Sequence, residues 1–461
     1  MDHPGQLLAI TNPATGQCLA QLVQTDTDSL PEKLQRAQRA AGSWAQQPVA
    51  ARQAVLQRFG ENLSAQRDVL AQRLTAEMGK PLSQARREIE VTVQRLAYFI
   101  AEAPEVMAAQ PGAAPVGGVQ EHVTQEPLGV ITQISAWNYP YFLGTNVFVP
   151  ALLCGNAVLY KPSEHACLSG LAMAELLWAA GVPRDVFTPC IGAAQLGQAL
   201  LQLPTAAVCF TGSYATGVQV AQAAAGRLCR VQLELGGKDA AYVMADADVL
   251  ASAKSLAQGA FYNSGQSCCS VERLYVHRSK YSALVAALVA EVQQFCVGDP
   301  LRPETFVGPL TRAAQVQVLE AQVADATARG GVVRCGGRPL QGQVFMPTVV
   351  SEAHNAMLLM REETFGPLLG VACVDSDAEA LQQMQDSPYG LTCAVYGRNS
   401  QRAAALLEQV QVGTAYINCS DRVSVALPWS GRRHSGLGST LSHTGIAAML
   451  QPKAWHVAAA P

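Results

Sequence analysis

The 461-residue chain has no uninterrupted apolar run of about 18 residues, so nothing in it reads as a membrane-spanning helix. It has no block of Lys or Arg, and its net charge is only −3, which leaves nothing to attract nucleic acid or an anionic membrane surface. Its thirteen cysteines include no CxxC pair, and no Cys/His cluster has metal-ligand spacing. Reduced thiols, no structural zinc and no metal site are expected. The first residues, Met1-Asp2-His3-Pro4-Gly5, lack the basic flank and apolar core of a secretory signal, so a cytoplasmic location is expected. A G-x-G-x-x-G dinucleotide fingerprint is missing as well.

What is present is a chain with 49% hydrophobic and 15% charged residues, long enough for about two or three packed domains. Ile10-Thr11-Asn12-Pro13-Ala14-Thr15-Gly16 reads as a strand end and turn. Apolar residues then recur at helical spacing over 30–78 until Gly79-Lys80-Pro81 ends the pattern, and again over 83–107, with Ile89, Val93, Leu96 and Phe99 on one side. Both stretches read as packing scaffold without chemistry. The Gly/Pro-rich 111–127 stretch predicts a hairpin standing off the body. From Gly129, short Val/Ile/Leu runs at 130–134, 157–160, 186–191 and 207–210 alternate with helical patterns at 168–180 and 215–226, and a second alternating series covers about 240–418. That alternation predicts βαβ units on parallel sheets, an α/β fold.

Six short segments could carry chemistry. Ala136-Trp137-Asn138-Tyr139-Pro140 follows a predicted strand, at the end where open α/β sheets place ligands, and Asn138 offers a neutral amide donor or a turn cap. Tyr160-Lys161-Pro162-Ser163-Glu164 closes the next strand, and Lys161 and Glu164 suit a ribose or form a solvated pair. In Thr211-Gly212-Ser213-Tyr214-Ala215-Thr216-Gly217 a glycine turn opens a helix whose N–H groups could hold a pyrophosphate, or Ser213 is simply a cap. Leu233-Glu234-Leu235-Gly236-Gly237-Lys238 sets a carboxylate in an apolar strand end, where burial should raise its pKa toward that of a general base; pairing with Lys238 is the competing account. Asn263-Ser264-Gly265-Gln266-Ser267-Cys268-Cys269-Ser270 offers two vicinal thiols, structural or nucleophilic. Glu362-Glu363-Thr364-Phe365-Gly366-Pro367 offers a carboxylate and a ring before a rigid turn, as a ligand clamp or a helix start.

In order and spacing these segments resemble the aldehyde dehydrogenase superfamily of nicotinamide-dependent, hydrolytic enzymes. The resemblance runs from the Asn-Pro-Ala-Thr-Gly start to Ser435-Gly436-Leu437-Gly438. It implies Cys268 as nucleophile, Glu234 as general base and Asn138 as oxyanion donor. It further implies Trp137, Lys161, Glu164, Gly212, Ser213, Gly217, Glu363 and Phe365 around the cofactor, with NAD preferred to NADP because the Glu164 carboxylate would repel a 2′-phosphate. The implied reaction is oxidation of a small-molecule aldehyde to the carboxylic acid through a thioester on Cys268, with a CoA-acylating enzyme, a cysteine hydrolase or a non-catalytic relative as alternatives. The implied fold has a Rossmann-like cofactor domain at 1–110 and 127–234 and an α/β catalytic domain at 235–440. An oligomerisation element at 111–126 and 441–461 would make a homodimer or homotetramer. The chain departs from the family at Pro428-Trp429-Ser430-Gly431-Arg432-Arg433-His434, where a Pro-Phe-Gly-Gly form is commoner, which leaves the substrate entrance open. Tyr139, Phe142, Asn146, Ser267, Cys269, Val423 and Trp429 are expected to line the substrate tunnel. Such an apolar, partly aromatic wall with no obvious Arg favours a medium aliphatic or aromatic aldehyde over a small charged one, although Arg432 and Arg433 weigh against this.

Overall fold

The computed structural model describes residues 6–112 and 119–458. The Met1 to Gly5 segment and the middle of the expected hairpin, 113–118, lie outside the described residues. The 30–78 pattern is three helices rather than one: Leu30–Ala45, Val49–Ala65 and Arg67–Met78. Pro48 caps the second, which removes a backbone donor and favours extended geometry before it, and Gln66 turns the chain into the third. The third ends on Gly79, whose φ of +82° suits a left-handed cap. Helix Leu82–Met107 buries Ile89, Leu96 and Phe99 as its spacing predicts, with Val93 half-buried. It also buries Gln84, Glu88 and Arg95, a polar set that the scaffold reading assigned no part.

Two parallel-strand sheets follow, as the alternation predicts. In the first, strands lie in the order Gly436–Leu437, Arg230–Glu234, Ala207–Thr211, Val130–Ile134, Ala157–Lys161, Phe187–Pro189, and all but the first run parallel. The chain moves outward one way from Val130–Ile134, then returns and moves outward the other way from Ala207–Thr211. The carboxyl ends of these two neighbours therefore form a topological switch point, the crevice where such sheets bind ligands. Helix Leu30–Ala45 covers one face through Leu30, Leu34 and Ala37, and helices 49–65, 140–153 and 167–180 cover the other.

The second sheet has the order Val332–Cys335, Thr348–Ser351, Leu368–Val374, Val271–His277, Asp239–Val243, Thr392–Tyr396, Thr414–Ile417, with only the first strand antiparallel. Its two apolar faces pack separate helical layers. A third sheet is antiparallel: Leu450–Ala458 pairs with Val119–Pro127 along its whole length, and Gln110–Pro111 adds a short edge. All residues of Leu450–Ala458 except Leu450 are exposed. Among the described residues no helix is long and apolar enough to cross a membrane, and all thirteen cysteines are free thiols.

Candidate active site

The two large sheets meet unlike end to unlike end. Asn138 and Ser213 follow the carboxyl ends of first-sheet strands and Lys161 ends one, whereas Cys268 precedes the amino end of Val271–His277 in the second. Two cavities open between them. The larger, of about 660 Å³, is walled by Trp137, Lys161, Glu164, Gly212, Ser213, Glu234, Glu363 and Phe365. The smaller, of about 200 Å³, is walled by Tyr139, Phe142, Asn146, Ser267, Cys269, Val423 and Trp429. Asn138 and Cys268 border both. Any group on the Cys268 sulfur thus faces one ligand space on each side.

The turn carrying Cys268 is conformationally demanding. Helix Val249–Phe261 ends, and Asn263, Ser264 and Gly265 take φ of +55°, +57° and +70° in succession. A Cβ on Gly265 would stand 2.2 Å from the Gly366 carbonyl oxygen, so only glycine lets this turn touch the Glu363-Thr364-Phe365-Gly366-Pro367 segment. Strained backbone of this kind persists only when its surroundings over-determine it. Here Ser264 Oγ bridges the N–H and C=O of Gly308, and the Gln84 carboxamide oxygen accepts the Asn263 N–H at 2.9 Å. Between Asn263 and Ser270, Cys268 alone is not buried.

The neighbouring thiol is in a different state. Cys269 is buried and donates to Asp421 Oδ1 at 3.1 Å, an oxygen that also accepts Ser267 Oγ at 3.4 Å. The contact with the Cys268 side chain, burial and the Asp421 charge together push the Cys269 thiol well above the ordinary thiol range. It is a protonated hydrogen-bond donor, not a thiolate.

Asn138 is held by both its ends. Its backbone carbonyl oxygen accepts Lys80 Nζ at 2.8 Å and Asn263 Nδ2 at 3.1 Å, while its side-chain Nδ2 donates to the Gln266 backbone carbonyl at 3.1 Å. An amide nitrogen has two N–H donors, so one remains for a ligand. Lys80 is fully buried, ion-paired with Glu88 and set over the Tyr139 ring at 3.7 Å, and Glu88 also accepts the Tyr141 N–H. The Gly79-Lys80-Pro81 segment is therefore more than a helix stop: it fixes the Asn138 loop.

Glu234 is not paired with Lys238. Lys238 Nζ instead meets Glu272 at 2.6 Å, and Glu272 accepts the N–H groups of Thr364 and Phe365 at 2.9 Å each. Glu234 is left with a neutral partner, accepting Thr440 Oγ1 at 2.8 Å, and burial raises its pKa to about 7. Glu363 Oε1 accepts the Gly237 N–H at 3.1 Å, and burial and the Glu272 charge raise its pKa to about 7 too. A Cβ on Gly236 would lie 2.3 Å from Glu363 Oε1, so the glycine is what admits this carboxylate to the wall. Phe365, at φ +46°, meets the Trp137 ring edge-on at 5.4 Å.

On the wall of the larger cavity, Lys161 Nζ approaches Glu164 at 3.5 Å. Burial opposes ionisation of Glu164, but the Lys161 ammonium and the local backbone N–H outweigh it, so its pKa falls below the ordinary range. Ser213 caps helix Tyr214–Ala225 by accepting the Thr216 N–H, and it borders the cavity as well, so the two readings of this residue coexist. Gly217 does not reach the wall; it packs against Leu235.

The smaller cavity corrects the expectation of a wall without arginine. Arg95, Arg87, Glu88 and Asp421 border it, and burial raises Asp421 to a pKa of about 7. Arg432 and Arg433 border neither cavity; they pair with Tyr389 and Gly390. Among the described residues, Glu102, Glu105 and His443 are the one group with metal-ligand spacing; two of the three are exposed, and none borders either cavity.

Comparison with known proteins agrees with this layout. The chain is 34% identical over 447 residues to the succinate-semialdehyde dehydrogenase [NADP(+)] of Deinococcus radiodurans, covering 96% of this chain and 93% of that one. It is 32% identical to a betaine aldehyde dehydrogenase of Cereibacter sphaeroides, covering 100% and 95%. The crystal structure of an aldehyde dehydrogenase from Brucella melitensis superposes with a TM-score of 0.96 at 29% identity, covering 98% of this chain and 94% of that one. With the Aldehyde dehydrogenase family matching residues 2–455, the chain belongs to that family.

Proposed function

We propose that the chain oxidises an aldehyde to the carboxylic acid with a nicotinamide cofactor, using Cys268 as nucleophile, Asn138 as oxyanion donor and Glu234 as general base. The observation that carries this reading is the position of Cys268 between the two cavities, with Asn138 bordering both and Glu234 on the larger one. The larger cavity fits a dinucleotide. It has a capped helix start at Ser213 for a pyrophosphate, the Lys161 and Glu164 pair for a ribose, and Glu363 with Phe365 admitted beside Gly236 for the other end. Bound there, NAD(P) supplies the acceptor for the hydride that turns a thiohemiacetal into a thioester.

The chain's own residues do the rest. The Cys268 sulfur adds to the aldehyde carbon that enters from the smaller cavity, and the free N–H of Asn138 Nδ2 stabilises the oxyanion. After oxidation, Glu234 takes a proton from the water that attacks the thioester. The C–S bond breaks, the acid leaves and Cys268 is free again. A cysteine hydrolase would need a histidine by the thiol. Among the described residues none borders the smaller cavity, and the one on the larger cavity, His165, stands edge-on to the Trp137 ring. The relatives' names lend the CoA-acylating alternative no support.

NAD is the proposed cofactor, because an ionised Glu164 favours a free 2′-hydroxyl and repels a 2′-phosphate. Assayed by absorbance over a panel of aldehydes, kcat/KM with NAD should exceed that with NADP by roughly tenfold or more, and Glu164→Gln should narrow the gap. A preference for NADP, the cofactor named for the Deinococcus relative, would show this carboxylate turned away. Product unaffected by added CoA would separate hydrolysis from acyl transfer to CoA.

The same reading divides the chain into a cofactor domain at 1–110 and 127–234, a catalytic domain at 235–440 and an oligomerisation element at 111–126 and 441–461. The exposed Leu450–Ala458 strand, with Trp455 stacked on His122, supports contact with a second copy. A dimer or tetramer by light scattering is the expected result, and a monomer at micromolar concentration would refute it. Thirteen free thiols support a reducing, cytoplasmic location.

A further inference from the structure

Arg95 is a buried cation with no salt-bridge partner among the described residues, at the wall of the smaller cavity. Its residue exposure is 3%, and no carboxylate among the described residues lies within ion-pair distance of it. Its guanidinium lies 4.2 Å over the Phe142 ring, Nη1 donates to Asn146 Oδ1 at 3.0 Å, Nη2 donates to the Val423 carbonyl at 3.4 Å, and Nε has no partner. Phe142, Asn146 and Val423 all border the same cavity as Arg95. Burial lowers its pKa to about 10, so it remains charged at neutral pH.

A guanidinium has five N–H donors, and an uncompensated buried charge is costly unless a ligand completes it. The carboxylates nearby do not. Glu88 is taken by Lys80 and the Tyr141 N–H, and Asp421 by the Cys269 thiol and the Ser267 hydroxyl. Arg87, at the same cavity, adds a second positive charge, partly offset by Glu90.

We propose that Arg95 recognises an anionic group at the far end of the substrate, so that the preferred aldehydes are semialdehydes ending in a carboxylate. The names of the relatives do not decide this, since one concerns a semialdehyde and another betaine aldehyde, of opposite charge. The inference rests on the aldehyde dehydrogenase reading above and specifies its substrate.

The test compares kcat/KM for 4-oxobutanoate, pentanal and 4-trimethylaminobutyraldehyde. The carboxylate should exceed the neutral aldehyde by roughly ten- to a hundredfold, the range of a charge-assisted hydrogen bond to a buried group. Arg95→Gln should cut that ratio by about tenfold or more, chiefly through KM, and Arg95→Lys should retain part of it. A wild-type ratio near one, a preference for the cationic aldehyde, or equal losses on both substrates in Arg95→Gln would overturn the proposal, the last by assigning Arg95 to packing alone. Should Arg95→Gln not fold, the wild-type ratio and Arg95→Lys decide. A binding readout separates this from failure of the enzymatic reading: succinate should raise the wild-type Tm above a salt control of equal ionic strength, and less so in Arg95→Lys. Oxidation of neutral aldehydes without that rise would overturn the anion site alone.

Discussion

Cys268→Ala is expected to lower NAD(P)-linked aldehyde oxidation by about four orders of magnitude or more, since it removes the sulfur proposed to carry the covalent intermediate. Cys269→Ala is expected to stay within about tenfold of wild type, because it removes the thiol's hydrogen bonds to Asp421 and Ser267 and a small buried volume but not the sulfur proposed to react. Adjacency in sequence hides a large physical difference between the two thiols. Cys268 is open to both cavities, whereas Cys269 is buried and spends its proton on Asp421. Its pKa is held well above the ordinary thiol range, and a thiolate there would meet the Asp421 charge. The initial rate of NADH formation in the two variants measures the difference. Loss of activity in Cys269→Ala with retention in Cys268→Ala would reverse the assignment.

Glu234→Gln should separate the two halves of the reaction. Steady-state turnover is expected to fall by about 10²- to 10⁴-fold, the usual contribution of a general base, while a pre-steady-state burst of NADH survives within a few-fold. The substitution is conservative for the surroundings, because the glutamine carbonyl can still accept the Thr440 hydroxyl that Glu234 accepts at 2.8 Å. Its pH dependence has a definite sign. Burial raises the Glu234 pKa to about 7, and only the ionised form takes a proton from water. Where hydrolysis limits the rate, turnover should therefore rise as pH increases through about 7 and level off above it. Glu234→Gln should abolish that limb. Equal loss of burst and steady-state rate would place Glu234 in the first half, at ionisation of Cys268.

Much of this site is legible in the chain because its parts sit at strand ends. Trp137-Asn138, Lys161 and Glu234 each terminate or follow a run of β-branched and apolar residues, and the α/β alternation alone puts such positions near a ligand crevice. The expected tunnel residues Tyr139, Phe142, Asn146, Ser267, Cys269, Val423 and Trp429 do come together on one cavity. Gly217 does not reach the other, because the first turn of its helix rotates it toward Leu235.

The charged residues of the smaller cavity had no comparable signal. Glu88 and Arg95 stand seven apart on helix Leu82–Met107, and on an amphipathic helix a polar stripe ordinarily faces water. Asp421 follows Ser420 in a loop 152 residues from the Cys269 thiol it accepts, and nothing local links the two. Lys80 reads as part of a Gly-Lys-Pro helix stop, yet its ammonium holds the carbonyl of Asn138, 58 residues away. The same limit explains the 30–78 stretch, whose apolar period is real but whose breaks depend on how three short helices pack.

Sequence by itself determined the α/β alternation and the turns, because periodicity and turn chemistry are local properties, and through the family resemblance it nominated the groups proposed as nucleophile, base and oxyanion donor. Tertiary structure decided which cysteine is open and which is a buried donor. It decided that Lys238 neutralises Glu272 and leaves Glu234 with a neutral partner, and that a cation faces the substrate space. These are consequences of burial, and a group's solvent and counter-charge depend on which surfaces meet, which no stretch of the chain specifies alone.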